Sequence, residues 1–508
     1  MTESREQLVD AEYEPPQGPL ESTVARIQAE ILGIDRIGRS DSFYDFGGTS
    51  LQAIRICTRI EREAGRQAHP ASLFEFDVLS EFVSRLPAPE SADDEPAPRP
   101  APEGASGRLS EGQVAMWLDG LVRPERALGN VIVLAYRLSP APDEGALLSA
   151  VRAFAGRHSA LATAVQADAD GIPEAVLLPP AEALLVDDSP AADPALQARA
   201  EALAQRVDLE GGPLAGVRVD PAAEGCELLL AVHHACFDGR SEALLSAELS
   251  ALLRGEPLAA VGPAAGAPAV PHRPDAAELA DWGQRLAATR DISWPTMGPD
   301  DQPGTEESGA IRFETSANSS AGLTRQARAA GVSPFHLVLR AVGRAIRDSS
   351  GTDHFCLGIP VSIRDIESDN IAGNFVRQAV VPVGAAELDG PLDALAATWR
   401  QAQAAIGIGV SELAKLAGRG AADRSRLFQV QFAWQNQPIA TWDIPGVAVS
   451  ELEVGPITPQ LDLTVELRPA PGGSVSGLIE YDAKVVRSRA AATIARRLRS
   501  WFDEVAAA

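Results

Sequence analysis

The sequence predicts a multidomain chain: a small all-α four-helix bundle followed by a larger, two-lobed α/β unit. Three observations carry this. The 508 residues correspond to about three compact units at ~150 residues each. Residues 87–107 (PAPESADDEPAPRPAPEGASG) hold six prolines and almost no large apolar side chain, so they form an extended tether rather than a core. Before the tether, apolar residues recur at helical spacing; after it, strand-like apolar runs alternate with helical ones. We therefore place an upstream linker at 1–18, the helical unit at 19–87, the tether at 88–107 and the α/β unit at 108–508. The lobes of that unit run from about 108 to 275 and from about 305 to 508.

In the helical unit, Val24, Ile27, Ile31 and Leu32 mark one helix and Leu51, Ile54 and Cys57 a second. A short helix is expected around 73–76, and Leu79, Phe82, Val83 and Leu86 mark the last. In the larger unit, 131–138 reads as a strand, and Asp143 caps a helix running toward His158. The run 226–234 (CELLLAVHH) reads as a buried strand, followed by a helix over 242–253. Ser333 and Pro334 open a helix as N-cap and first residue. Strands are expected at 354–363, 427–434 and 461–467, with a turn at 469–473 leading into a strand at 474–481. A helix over 489–505 closes the sequence.

Composition narrows the function. Apolar residues make up 45% and charged residues 22%, ordinary values for a folded protein. The 44 Lys+Arg against 70 Asp+Glu give a net charge of −26, so neither nucleic acid nor an anionic membrane is expected as a partner. No apolar run reaches 18 residues and the start has no apolar signal core, so neither a membrane span nor a secretory signal is expected. Cys57, Cys226, Cys236 and Cys356 have no C-x-x-C spacing, which argues against a zinc site and suits a reducing, cytoplasmic setting.

Two constellations carry chemistry. Gly47 and Gly48 precede Ser50 at a predicted helix start. Glycines permit a tight turn there, and a helix N-terminus favours a phosphate; an ordinary N-cap serine is the alternative. The second constellation is His233-His234-Ala235-Cys236-Phe237-Asp238-Gly239, directly after a buried strand. A near-neutral imidazole takes or holds an amine proton. An aspartate beside it is buried only if paired, most simply with an arginine. Adjacent histidines on a strand face opposite ways, so they do not readily share a metal, and none is expected.

Residues 20–86 resemble a peptidyl carrier protein of a nonribosomal peptide synthetase, through 31–34 (ILGI), 41–51 (DSFYDFGGTSL) and 73–75 (LFE). Phe46 stands where the family usually has Leu. The resemblance implies covalent 4′-phosphopantetheine on Ser50, installed by a phosphopantetheinyl transferase. The absence of lysine near Ser50 argues against a lipoyl or biotinyl carrier. From about 108 to 505 the chain resembles condensation domains, relatives of chloramphenicol acetyltransferase, through H-H-x-x-x-D-G. Further matching segments are 109–117 (LSEGQVAMW), 157–163 (RHSALAT), 358–364 (GIPVSIR), 373–376 (GNFV) and 423–430 (DRSRLFQV) with Gln435 and Asn436.

This resemblance implies amide formation between a donor thioester and an amine on a downstream carrier, within an assembly that also holds an upstream adenylation domain. It makes His234 the residue that handles the amine, Gly239 a helper at the carbonyl, and His233 and Asp238 structural. Arg364, then Arg157, is the expected partner of Asp238. Arg240 replaces a frequent aromatic and is expected to project toward the acceptor channel; Ala162 replaces an arginine of the second motif. Epimerisation, which shares the histidine motif, is disfavoured by 331–336 (GVSPFH), and heterocyclisation by the histidine pair itself. A non-catalytic domain that docks carriers or recruits another enzyme is the alternative from a different class.

Overall fold

The computed structural model describes residues 3–9, 11–48, 50–87, 109–168, 170–179, 182–189, 195–261, 275–295, 308–366, 368–418, 427–435, 441–470 and 472–507. The tether over 88–107 and residues 423–426 and 436 of the last motif lie outside them.

The first unit is a helical bundle: α1 (Gly18–Leu32), α2 (Ser50–Ala64), α3 (Pro70–Glu75) and α4 (Leu79–Arg85). Its core joins Val24 and Ile27 of α1 with Ile56 and Ile60 of α2, Leu73, and Phe82 of α4; Phe43 of the intervening loop completes it. Residues 3–9, expected within a linker, pack on this bundle. Arg5, 1% exposed, donates to both carboxylate oxygens of Asp41, at 2.6 and 2.7 Å. Two parallel charge-assisted bonds stabilise a pair taken out of water, so the entering chain is clasped to the bundle.

The first lobe of the larger unit contains α5 (Glu111–Val122), β1 (Val131–Ser139), α6 (Glu144–Arg157), a hairpin of β2 (Thr163–Ala167) and β3 (Pro173–Leu177), and β4 (Leu184–Val186). It continues with α7 (Leu196–Ala204), β5 (Ala215–Ala222), β6 (Gly225–His233) and α8 (Gly239–Leu253). α9 (Ala276–Ala287) leads on and packs against the second lobe. That lobe comprises β7 (Ser308–Glu314), α10 (Ser319–Ala329), α11 (Pro334–Ser350), β8 (Phe355–Ser362), β9 (Val376–Val383), α12 (Ala385–Leu388), α13 (Leu392–Ala404) and α14 (Val410–Leu416). β10 (Val430–Trp434), β11 (Ala448–Glu451), β12 (Leu463–Pro469), β13 (Val475–Asp482) and α15 (Ser488–Ala507) complete it.

Each lobe is built on one sheet. The first has the order β11-β1-β6-β5-β4, the second β7-β13-β12-β10-β8-β9. β6 is central and buried along nearly its whole length, which its apolar run requires. Asp143 caps α6 by accepting from the Ala146 N–H at 2.8 Å. Ser333 sits at the N-cap of α11 without a capping bond; its hydroxyl meets His336 Nδ1 at 2.7 Å instead.

One strand crosses between lobes. β11 comes from the second half of the chain yet pairs with β1, with Glu451 opposite Tyr136. The helix expected from Glu242 begins three residues earlier, at Gly239, because Asp238 Oδ1 accepts from the Ser241 N–H at 2.9 Å and caps it. The histidine motif therefore lies in the sharp connection from the middle of a sheet to a helix start.

Candidate functional site

Ser50 is the first residue of α2. Two glycines shape its approach. Gly47 has a φ of 67°, which favours glycine. A Cβ on Gly48 would lie 2.4 Å from the buried ring of Phe43, so only glycine lets the chain pass that closely over the bundle core. The first turn of the helix holds no acidic residue, and a helix N-terminus presents unpaired N–H groups. The local chemistry fits a phosphate ester at this position.

His234 leaves the strand and enters a single 3-10 turn, 234–236. Its Nδ1 lies 2.8 Å from the Phe237 carbonyl oxygen. A carbonyl only accepts, so Nδ1 carries the proton and Nε2 is an acceptor in the neutral ring. The side chain is half-buried. His233 points away into the protein and is 6% exposed. Its Nδ1 accepts from the Ala235 N–H at 3.1 Å. Burial, with the neighbouring His234 adding to it, lowers its pKa to about 3. The pair thus divides into one inert ring and one half-open ring.

Asp238, 3% exposed, organises the loop. Arg364 donates to its two oxygens at 2.7 and 3.1 Å, the Phe375 N–H donates at 3.1 Å, and the Ser241 hydroxyl at 2.9 Å. Ser241 Oγ in turn accepts from the Gly373 N–H at 2.9 Å. The Arg364 guanidinium lies 4.2 Å over the Phe375 ring. Asp238 belongs to the first lobe and 364–375 to the second, so this cluster joins them. Both oxygens of Asp238 are engaged by these donors. Gly239 is the first residue of α8 and is exposed; its N–H is one of the helix's unpaired donors.

Arg157 is not part of this cluster. It sits at the end of α6, where Glu248 of α8 accepts from its Nε at 3.1 Å. Arg240, expected to project toward a channel, bonds Asp369 across the lobes through Oδ2 at 2.7 Å and the carbonyl at 3.1 Å.

Three further groups escape a reading of the sequence. His158, fully buried, accepts from the Ala372 N–H at 3.1 Å and faces Glu248 at 3.3 Å, a second lock between the lobes. Ser241 carries a usable signal, since a serine three residues after a capping aspartate meets its oxygen. The third is an acidic patch between the lobes. Tyr136 donates to Glu242 at 2.9 Å and meets Trp442 edge-on, with centroids 5.0 Å apart. The Glu242 carboxyl has a raised pKa because of burial, with Glu451 and Glu466 adding to it against the Tyr136 bond and Arg468. These partners lie hundreds of residues apart, and no local pattern points to them. Among the described residues, no cluster of three metal-ligating side chains is present, and no helix is long and apolar enough to cross a membrane.

Residues 108–508 match the family model of the condensation domain, and residues 22–86 match that of a phosphopantetheine attachment site. Curated relatives include malpinin synthetase of Mortierella alpina, 26% identical over 92% of this chain and 6% of its own. The isonitrile lipopeptide synthase of Mycobacterium tuberculosis is 27% identical over 93% and 20%. The dimodular nonribosomal peptide synthase of Bacillus subtilis (strain 168) is 27% identical over 95% and 21%. The chain thus spans about a fifth or less of the length of these relatives.

Among solved structures, the X-domain from teicoplanin biosynthesis matches with a TM-score of 0.62 at 19% identity, over 80% of this chain and 97% of that one. A four-domain nonribosomal peptide synthetase bound to AMP and glycine matches with 0.64 at 18%, over 79% and 33%. The epimerization domain from the third module of tyrocidine synthetase B matches with 0.58 at 16%, over 80% and 96%. At these identities the likeness establishes the two-lobed α/β fold, which serves more than one role.

Proposed function

From the premise that this chain belongs to the condensation-domain family and carries a phosphopantetheine attachment site ahead of that domain, we propose that it forms amide bonds in nonribosomal peptide synthesis. Residues 19–87 present a donor acyl or peptidyl group from Ser50, and residues 108–508 join it to an amine held by a downstream carrier. When bound, 4′-phosphopantetheine supplies a thiol on a flexible arm that holds the acyl group as a thioester. Its partners are an upstream adenylation domain, the downstream carrier and a phosphopantetheinyl transferase, in the cytoplasm.

The observation that carries this reading is the 2.8 Å contact of His234 Nδ1 with the Phe237 carbonyl oxygen, which assigns the tautomer. With Nδ1–H committed to the Phe237 carbonyl, Nε2 accepts the proton of the attacking amine as the new C–N bond forms. The same carbonyl then holds the imidazolium, which returns the proton to the departing group. The Gly239 N–H at the positive end of α8 stabilises charge developing on the acyl oxygen. Asp238 and Arg364 hold the loop in register for both.

The fold is equally that of domains with other roles, so chemistry must separate the readings. Incubation with a phosphopantetheinyl transferase and coenzyme A is expected to add one phosphopantetheine mass to the wild type and none to Ser50→Ala. The loaded chain then forms amide with an aminoacylated acceptor carrier. A loaded wild type that yields no amide with any acceptor carrier would exclude condensation and favour a docking or recruitment role.

A further inference from the structure

Ser50, Ile54 and Thr58 follow one another at four-residue intervals and share a face of α2. Beyond its first turn this face is covered. Ile54 is 5% exposed and belongs to the apolar cluster of the first lobe, not to the core of its own bundle. The element that covers it is the turn joining β2 to β3. There Asp168 Oδ1 accepts from the Asp170 and Ile172 N–H groups at 2.9 and 2.8 Å, which fixes the turn, and Gly171 forms its tip with a φ of 74°.

A Cβ on Gly171 would lie 2.9 Å from Thr58 Oγ1, 3.2 Å from Ile54 Cγ2 and 3.3 Å from the Arg55 Cα. The turn therefore touches α2 at backbone distance. Arg62, one turn further on, lies 3.4 Å from Asp170. A second contact runs alongside: α3 packs on α5, and α5 packs on the 3-10 turn that bears His234. The bundle thus sits on the element that backs the imidazole.

We propose that the β2–β3 turn is the seat that selects the carrier, with Gly171 as its specificity-determining residue. The seat admits a carrier helix with a branched apolar residue four positions after the modified serine and a residue no larger than threonine eight after it. Its missing side chain is the recognition feature: apolar burial of Ile54 supplies the attraction, and close approach at Gly171 rejects bulkier helices. The exposed Arg62–Asp170 pair contributes little and sets orientation. The proposal rests on the donor reading above, since a seat for the carrier matters only if its cargo is used next door.

Glycine at 171 serves both the turn and the contact, and the test separates them. Asn tolerates the left-handed region, so Gly171→Asn keeps the turn and adds only a side chain. In the full loaded chain, Gly171→Asn is expected to raise the radius of gyration in small-angle X-ray scattering, as the bundle swings out on its tether. It is expected to slow amide formation from the chain's own carrier at least about tenfold, while a soluble acyl-pantetheine donor reacts as with wild type. Adding Thr58→Ala removes the tightest contact and should restore part of both. An unchanged radius of gyration together with wild-type transfer from the chain's own carrier in Gly171→Asn would overturn the proposal. A wild type that forms no amide would defeat the donor reading, and the scattering comparison would still decide the seat.

Discussion

An aspartate that is 3% exposed needs neighbours that supply the hydrogen bonds water would. Around Asp238 they do: a two-pronged arginine, two backbone N–H groups and a hydroxyl converge on two oxygens. Removing one partner strands the other, at a cost of about 3–5 kcal/mol for a buried pair. Arg364→Ala is therefore expected to lower the urea midpoint of the larger unit clearly and to depress amide formation with it. Arg364→Lys keeps the charge but loses the fork and should fall between. Matching midpoints for wild type and the alanine variant would show that the pair does not hold the loop. The chemistry of this pair was legible in the sequence, because a buried acid demands a cation. The choice between Arg364 and Arg157 was legible only through motif resemblance, since the partner lies 126 positions away and loop geometry decides the outcome. Arg240 illustrates the same limit: its contact with Asp369 depends on where the second lobe rests.

At the scale of elements, local pattern identified six strands and four helices of the larger unit, fewer than half of those described, and it did so where apolar runs, an N-cap aspartate or an N1 proline gave a local signal. It did not show that β11 would cross to the other sheet, because four residues of mixed polarity carry no periodic signal. Nor did it show that α8, β11 and β12 would bring Glu242, Glu451 and Glu466 together between the lobes. Glu466 of β12 keeps 30% of its side-chain surface, yet protein packs closely round it. Burial raises its pKa and Glu451 adds to this, against the opposing effects of Arg468 and Gln435. A carboxyl with a raised folded-state pKa costs nothing at pH values where both states are protonated. It costs stability above the unfolded value, near 4.3, where the unfolded chain ionises freely in water. Glu466→Gln is therefore expected to stabilise the protein at pH 8, with the gain shrinking as the pH falls toward 4. A gain independent of pH would show that ionisation of Glu466 is not its source, and a loss at pH 8 would show that the Arg468 contact outweighs burial.

On the scale of the whole molecule, the carrier and the condensation domain are joined through residues 88–107 in sequence and meet at α2, α3, α5 and the β2–β3 turn. The composition of residues 88–107 is silent on where the bundle docks. Gly171 looks like any turn glycine until α2 is placed against it. The proposed activity is transfer of cargo from Ser50 to an amine under the Nε2 of His234. The direct measurement is a single-turnover time course, by intact mass, of the acyl-loaded chain mixed with an aminoacylated acceptor carrier. Wild type should pass its acyl mass to the acceptor, and His234→Ala should do so roughly 10²–10⁴-fold more slowly, the usual contribution of a positioned acid–base group. Superimposable time courses for the two proteins would contradict this role for His234.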